Sequence, residues 1–183
     1  CDESLAHDTA MDEQVGRWLL GVTDQKYAGL GPDRAGVPDL AAGLAVERRS
    51  IQDQLDFPLL GANAVDPATK RPAFPPYVIK RYKVGRGRTL TVGVLGLTNP
   101  GIAIWDKANV EGQMEFPGLV EQAKKFVPVM KKKGCDLVIV SAHSGADTSS
   151  SYGDALPFPE NAASLVAEEV PNVDAILVGH AHK

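Results

Sequence analysis

Cysteine is almost missing from this sequence: Cys1 and Cys135 are the two among 183 residues. Two are too few for a disulfide framework, and neither lies in a Cys-x-x-Cys pair of the kind that holds structural zinc. Cys135 follows Gly134 and opens an apolar run, the setting of an inert core thiol. Long hydrophobic runs are lacking as well. No stretch approaches the ~20 apolar residues that span a bilayer, and no secretory signal peptide is present. The sequence begins at Cys1 rather than Met, so a processed or trimmed product is expected. Positive charge is in deficit, with 19 Lys and Arg against 23 Asp and Glu for a net charge of −4. The single basic tract, Lys131-Lys132-Lys133, sits where a helix ends. A nucleic-acid polymer or a membrane surface is therefore not the expected partner.

What remains is the composition of a globular protein, 44% hydrophobic and 23% charged, long enough for one domain with a substantial core. Residues 1–36 form an unassigned leader, with an amphipathic helix expected over Met11–Val22 and a loop over Gly29–Gly36. Pro38–Leu55 reads as a second helix. Phe57–Val65 reads as a buried strand running into a turn at Asp66-Pro67, with Asn63 closing an Asx turn. Tyr77–Val84 and Leu90–Leu97 read as antiparallel neighbours joined by Gly85-Arg-Gly-Arg88. Asn99–Asn109 is expected to be irregular, anchored by a buried Trp105 indole. Phe116–Lys133 carries apolar residues at Leu119, Val120, Ala123, Phe126, Val127 and Met130, a 3.6-residue rhythm, with Pro128 a local disruption and Gly134 the stop.

Two further apolar runs, Asp136–Ala142 and Asp174–Val178, read as strands buried in a sheet, separated by a polar Ser144–Pro159 loop and a helix over Glu160–Glu169. Alternation of strand and helix predicts right-handed crossovers in a layered α/β fold. Both runs end in histidine: His143 after the first, His180 and His182 after the second. Ligands gather at the carboxyl ends of such strands, and neutral imidazole is a common ligand of zinc and similar ions. On an extended strand His180 and His182 point to opposite sides, which suits two ions ~3.5–4 Å apart better than one. The alternative is that these are strand-end histidines satisfied by backbone carbonyls. Asp147, Asp154 and Glu160 flank His143 as further oxygen donors.

Val178-Gly-His-Ala-His182 resembles the final Gly-His-x-His motif of the calcineurin-like metallophosphoesterases, and Ser141-Ala-His143-Ser-Gly145 the histidine motif that precedes it. Phe57-Pro-Leu-Leu-Gly-Ala-Asn63 and Ile104-Trp-Asp-Lys-Ala-Asn109 resemble the bacterial 2′,3′-cyclic-nucleotide 2′-phosphodiesterase/3′-nucleotidase branch of the 5′-nucleotidase family. The resemblance runs in order from about Leu44 to His182. It implies a layered α/β/β/α sandwich and hydrolysis of a nucleotide or other small phosphoester by in-line attack of water at phosphorus. It also implies two divalent ions such as Zn or Mn, with His143 and His180 on one and His182 on the other. A periplasmic, cell-surface or secreted location is implied as well; oligomeric state is left open.

The family's amino-terminal motifs, Asp-x-His, Gly-Asp and Gly-Asn-His-Glu/Asp, do not occur here. Nor does its carboxy-terminal nucleotide-binding domain. Residues 37–183 are therefore expected to be the carboxy-proximal portion of a phosphoesterase domain, incomplete at both ends and weak or inactive alone. The other reading is a non-catalytic fragment that binds a metal ion or a partner.

Overall fold

The computed structural model describes residues 55–181. The helices expected over Met11–Val22 and most of Pro38–Leu55, and the residues His7 and His182, lie outside the described residues. Four strands form one mixed sheet in the order β1 (Tyr77–Val84), β2 (Arg88–Leu97), β3 (Leu137–Ala142) and β4 (Ala175–Val178). β1 pairs with β2 antiparallel, from Tyr77 opposite Leu95 to Val84 opposite Arg88. The hairpin closes through positive φ at Arg86 (64°) and Gly87 (71°), of which only the second suits glycine's freedom. β2, β3 and β4 are parallel neighbours, so each connection crosses over through a helix.

Those helices are α3 (Leu119–Lys132) and α4 (Ala163–Glu169), preceded in the chain by two single-turn helices, α1 (Ile102–Trp105) and α2 (Lys107–Val110). α3 buries Leu119, Gln122, Ala123, Val127 and Met130, one stripe at three- and four-residue steps. Glu121 in its first turn and Lys131 and Lys132 in its last complement the helix dipole. Pro128 lies inside the helix on its less buried side and removes one backbone donor there. The helix stops at Gly134, φ 86°, where Gly134 N–H donates to Lys131 O (2.9 Å) and Cys135 N–H to Met130 O (3.2 Å). This pair of hydrogen bonds around a left-handed residue is the Schellman arrangement.

The core lies between the sheet and these helices, from Leu95, Leu97, Val138 and Val140 to Leu119, Val127, Met130 and Val166. Register of the parallel strands is set by aspartates placed just before them. Asp136 N–H donates to Thr91 O and its carboxylate accepts Thr91 N–H (both within 2.8 Å). Asp174 does the same to Val138, at 2.9 and 2.7 Å. Each aspartate satisfies two backbone groups that would otherwise be orphaned where the ladder begins.

Four expectations need correction. The Asp174–Val178 run forms β4 but is not buried: Leu177 is 37% and Val178 52% exposed, because among the described residues it is an edge strand with only β3 beside it. Phe57–Val65 is not a strand: only Val65 bridges, to Pro72 and Glu115. Leu60 to Val65 are buried throughout, and Asn63, fully buried, fastens the segment by donating Nδ2 to Thr98 O and Pro117 O while Oδ1 accepts Thr98 N–H. No Asx turn is needed to explain it. The helix after the polar loop starts at Ala163 rather than Glu160, because Glu160 and Asn161 are held by the loop. Asn99–Asn109 is two helical turns rather than irregular chain, and Trp105 is 48% exposed rather than buried. Among the described residues no helix is long and apolar enough to cross a membrane.

Candidate metal centre

The carboxyl ends of β2, β3 and β4 share one edge of the sheet, and the ladder carries slightly beyond the strands. His143 N–H donates to Leu97 O (2.9 Å) and Gly179 N–H to Ala142 O (3.3 Å). These bonds set His143 and His180 side by side. Their ring centroids are 4.9 Å apart, edge to face at 65°, and Nδ1 of His180 faces Nε2 of His143 at 3.2 Å. His180 holds φ 87°, a backbone state that costs a residue with a side chain ~1–3 kcal/mol and persists where the surroundings hold it.

Glu160 occupies the far side of the His180 ring, its Oε1 2.5 Å from Nε2. Its side chain is 7% exposed, and its other oxygen accepts the Ser151 N–H. The backbone of Glu160 is pinned as well. Its carbonyl accepts from Asn99 Nδ2 (3.1 Å) and Ser144 Oγ (2.9 Å), and its N–H donates to Ser150 Oγ (2.8 Å). Asn99 and Ser144 are fully buried, so these bonds form away from competing water. Burial pushes the Glu160 carboxyl upward, but the bonds from Ser151 and His180 outweigh it and hold the group below its ordinary value.

Asn161 holds the same loop: its Oδ1 accepts Gly145 N–H (2.7 Å), and its Nδ2 donates to Ser149 O (3.0 Å). A Cβ on Gly145 would stand 2.6 Å from Asn161 Oδ1 and 2.8 Å from Ala181 Cβ, so glycine is required by close approach. Trp105 lies over the His180 ring at 5.5 Å, stacked at 28°, with Tyr152 tilted against the indole at 6.1 Å.

The structure thus brings together two of the three expected histidines and one of the three flanking carboxylates. Asp147 instead accepts from Ser149 Oγ within its own loop, and Asp154 is exposed. His182 lies outside the described residues. Sequence reading named Glu160 only as an oxygen donor. Its apposition to His180, 20 positions on, depends on how the chain leaving β3 folds back before α4, and no local pattern announces that.

Two nitrogens bound to one tetrahedral zinc at ~2.0–2.1 Å lie ~3.3–3.4 Å apart, so the 3.2 Å between His143 and His180 suits two ligands of one ion. Among the described residues no three His, Cys, Asp or Glu side chains complete such a site. The imidazole pair has the donor chemistry of two ion ligands and no more.

No family model matches the chain. Among solved structures, the calcineurin-like phosphoesterase YfkN of Bacillus subtilis superposes with a TM-score of 0.61 at 34% identity, over 70% of this chain and 38% of that one. The chain belongs to the calcineurin-like metallophosphoesterases, of which it carries part of a domain. Its relatives lie in the nucleotidase branch. It is 43% identical over 130 residues to a 2′,3′-cyclic-nucleotide 2′-phosphodiesterase/3′-nucleotidase of Salmonella typhimurium, and 40% identical over 134 residues to that of Haemophilus influenzae. These matches cover 69% and 71% of this chain but span only 19% and 20% of the relatives' length.

Proposed function

We propose that this chain supplies one wall of a metal-dependent phosphoesterase centre acting on nucleotides, of the 2′,3′-cyclic-nucleotide phosphodiesterase and nucleotidase type. His143 and His180 hold one divalent ion and His182 reaches a second. The observation that carries this reading is the 3.2 Å approach of the two ring nitrogens at the carboxyl ends of neighbouring parallel strands. A divalent ion there supplies Lewis-acid polarisation of the phosphoester and neutralises charge developing on its oxygens. The chain's own part is positional. The strand ends fix the two rings, the Asn99–Ser144–Glu160 bonds hold the loop rigid, and Trp105 covers one side of His180. The bridging carboxylate and asparagine of the family's motifs are not found in this sequence, so the chain alone is a weak catalyst. An extracytoplasmic location accompanies this reading.

Isothermal titration with Zn²⁺ or Mn²⁺ tests it. Binding that is lost in both His143→Ala and His180→Ala is the expected result, with little EDTA-sensitive hydrolysis of bis-p-nitrophenyl phosphate. Absence of ion binding by the unaltered chain would overturn the proposal and favour a partner-binding fragment.

A further inference from the structure

Glu160 is given no ion to hold in the reading above, yet both its backbone and its carboxylate are fixed by several hydrogen bonds. Its chain is bound at the backbone by Asn99, Ser144 and Ser150, and at the carboxylate by Ser151. All of that order ends in one contact, Oε1 to Nε2 of His180 at 2.5 Å. A neutral imidazole has one N–H and one bare nitrogen, and which is which depends on the partner of each.

We propose that Glu160 is the positioning residue of the centre. Its carboxylate accepts the Nε2 proton of His180 and thereby leaves Nδ1 bare on the side facing His143. The proposal rests on the ion-centre reading above for its purpose, but not for its geometry. One carboxylate oxygen accepts the Ser151 N–H and the other faces Nε2 of His180. An ionised carboxylate can only accept, so the facing nitrogen has to be the one that carries the proton. The stacked Trp105 ring restrains His180 from swinging out of line. His180 also sits at φ 87°, a strained backbone state that persists only where the surroundings hold it, and Glu160 and Trp105 are part of those surroundings. Outer carboxylates of this kind orient a metal-binding imidazole and raise its basicity.

Glu160→Gln separates this role from simple packing. A glutamine offers one oxygen, and the Ser151 backbone N–H claims it because that donor cannot be reversed. The amide NH₂ then faces Nε2 of His180, which must accept. The proton moves to Nδ1 and blocks the nitrogen that faces His143.

The experiment is long-range ¹H–¹⁵N NMR of the imidazoles in the full chain at about pH 8, where a free imidazole is neutral, with Zn²⁺ titration beside it. The unaltered chain is expected to carry the His180 proton on Nε2, and Glu160→Gln to carry it on Nδ1 with zinc affinity lowered ~10–100-fold. A packing role would not reverse the tautomer. An Nδ1 proton in the unaltered chain, or an unchanged tautomer in the variant, would overturn the proposal. Should the variant not fold, the tautomer of the unaltered chain decides alone. Failure of zinc to bind the unaltered chain counts against the ion centre, while the tautomer readout stands independently.

Discussion

Replacing Asn63 by alanine should destabilise the protein by about 3 kcal/mol. The side chain is fully buried and makes three bonds: Nδ2 to Thr98 O at 2.8 Å, Nδ2 to Pro117 O at 3.0 Å, and Thr98 N–H to Oδ1 at 2.8 Å. Each net bond is worth ~0.5–1.5 kcal/mol, and a backbone donor left without an acceptor costs ~1–3 kcal/mol more. Thr98 and Pro117 are only partly buried, so water recovers some of the carbonyl loss and the lower part of the summed range applies. Asn63→Asp makes a sharper test. At neutral pH it sets a negative oxygen against two carbonyls and should be at least as damaging as alanine. A buried Asp there has a raised folded pKa, so its stability contribution is retained below the unfolded value near ~4 and lost as pH rises through the folded one. Its deficit should therefore shrink on acidification, while that of Asn63→Ala should not. Urea unfolding monitored by circular dichroism, with equal m-values among the variants, gives the differences. An alanine variant within ~1 kcal/mol of the parent would refute the idea that this residue fastens the 57–65 segment.

Gly96→Ala should lower the melting temperature more than Gly93→Ala. A Cβ at 96 would stand 2.3 Å from Leu60 Cβ and 3.0 Å from its carbonyl carbon, so backbone must shift, whereas at 93 the nearest atom, at 2.4 Å, is the flexible Met130 Cε. Equal melting shifts by calorimetry would contradict this. Asp174→Asn should be destabilising at neutral pH, and the gap to the parent should close in acid. The Val138 N–H chiefly holds the Asp174 carboxyl below its ordinary value, with Lys131 assisting. A depressed folded pKa contributes stability above the unfolded value, ~3.9, that disappears as pH falls through the folded one. Melting curves of both proteins between neutral pH and about pH 3 check the convergence.

Segments marked by a simple apolar pattern could be placed along the chain from the sequence. The β1–β2 hairpin, the stripe of α3, and the two apolar runs that became β3 and β4 all appeared near their expected positions. So did the meeting of His143 with His180, because parallel strand ends of neighbouring strands are forced together. The remainder depended on contacts distant in the chain. Asn63 looks like a turn residue until Thr98, 35 positions away, supplies its partners. The Asp136 and Asp174 clamps require knowing which strand lies alongside. Trp105 was expected inside because large indoles usually are. It sits half out instead, with the imidazole of His180 for a neighbour.

That placement gives the molecule an optical gauge of its own. The chain has only two tryptophans, Trp18 and Trp105, so Trp18→Phe leaves one emitter, laid against the ring at the heart of the cluster. Anything that tilts, charges or captures His180 alters what the excited indole touches. Events at the strand ends can thus be followed in a fluorimeter without attaching a dye.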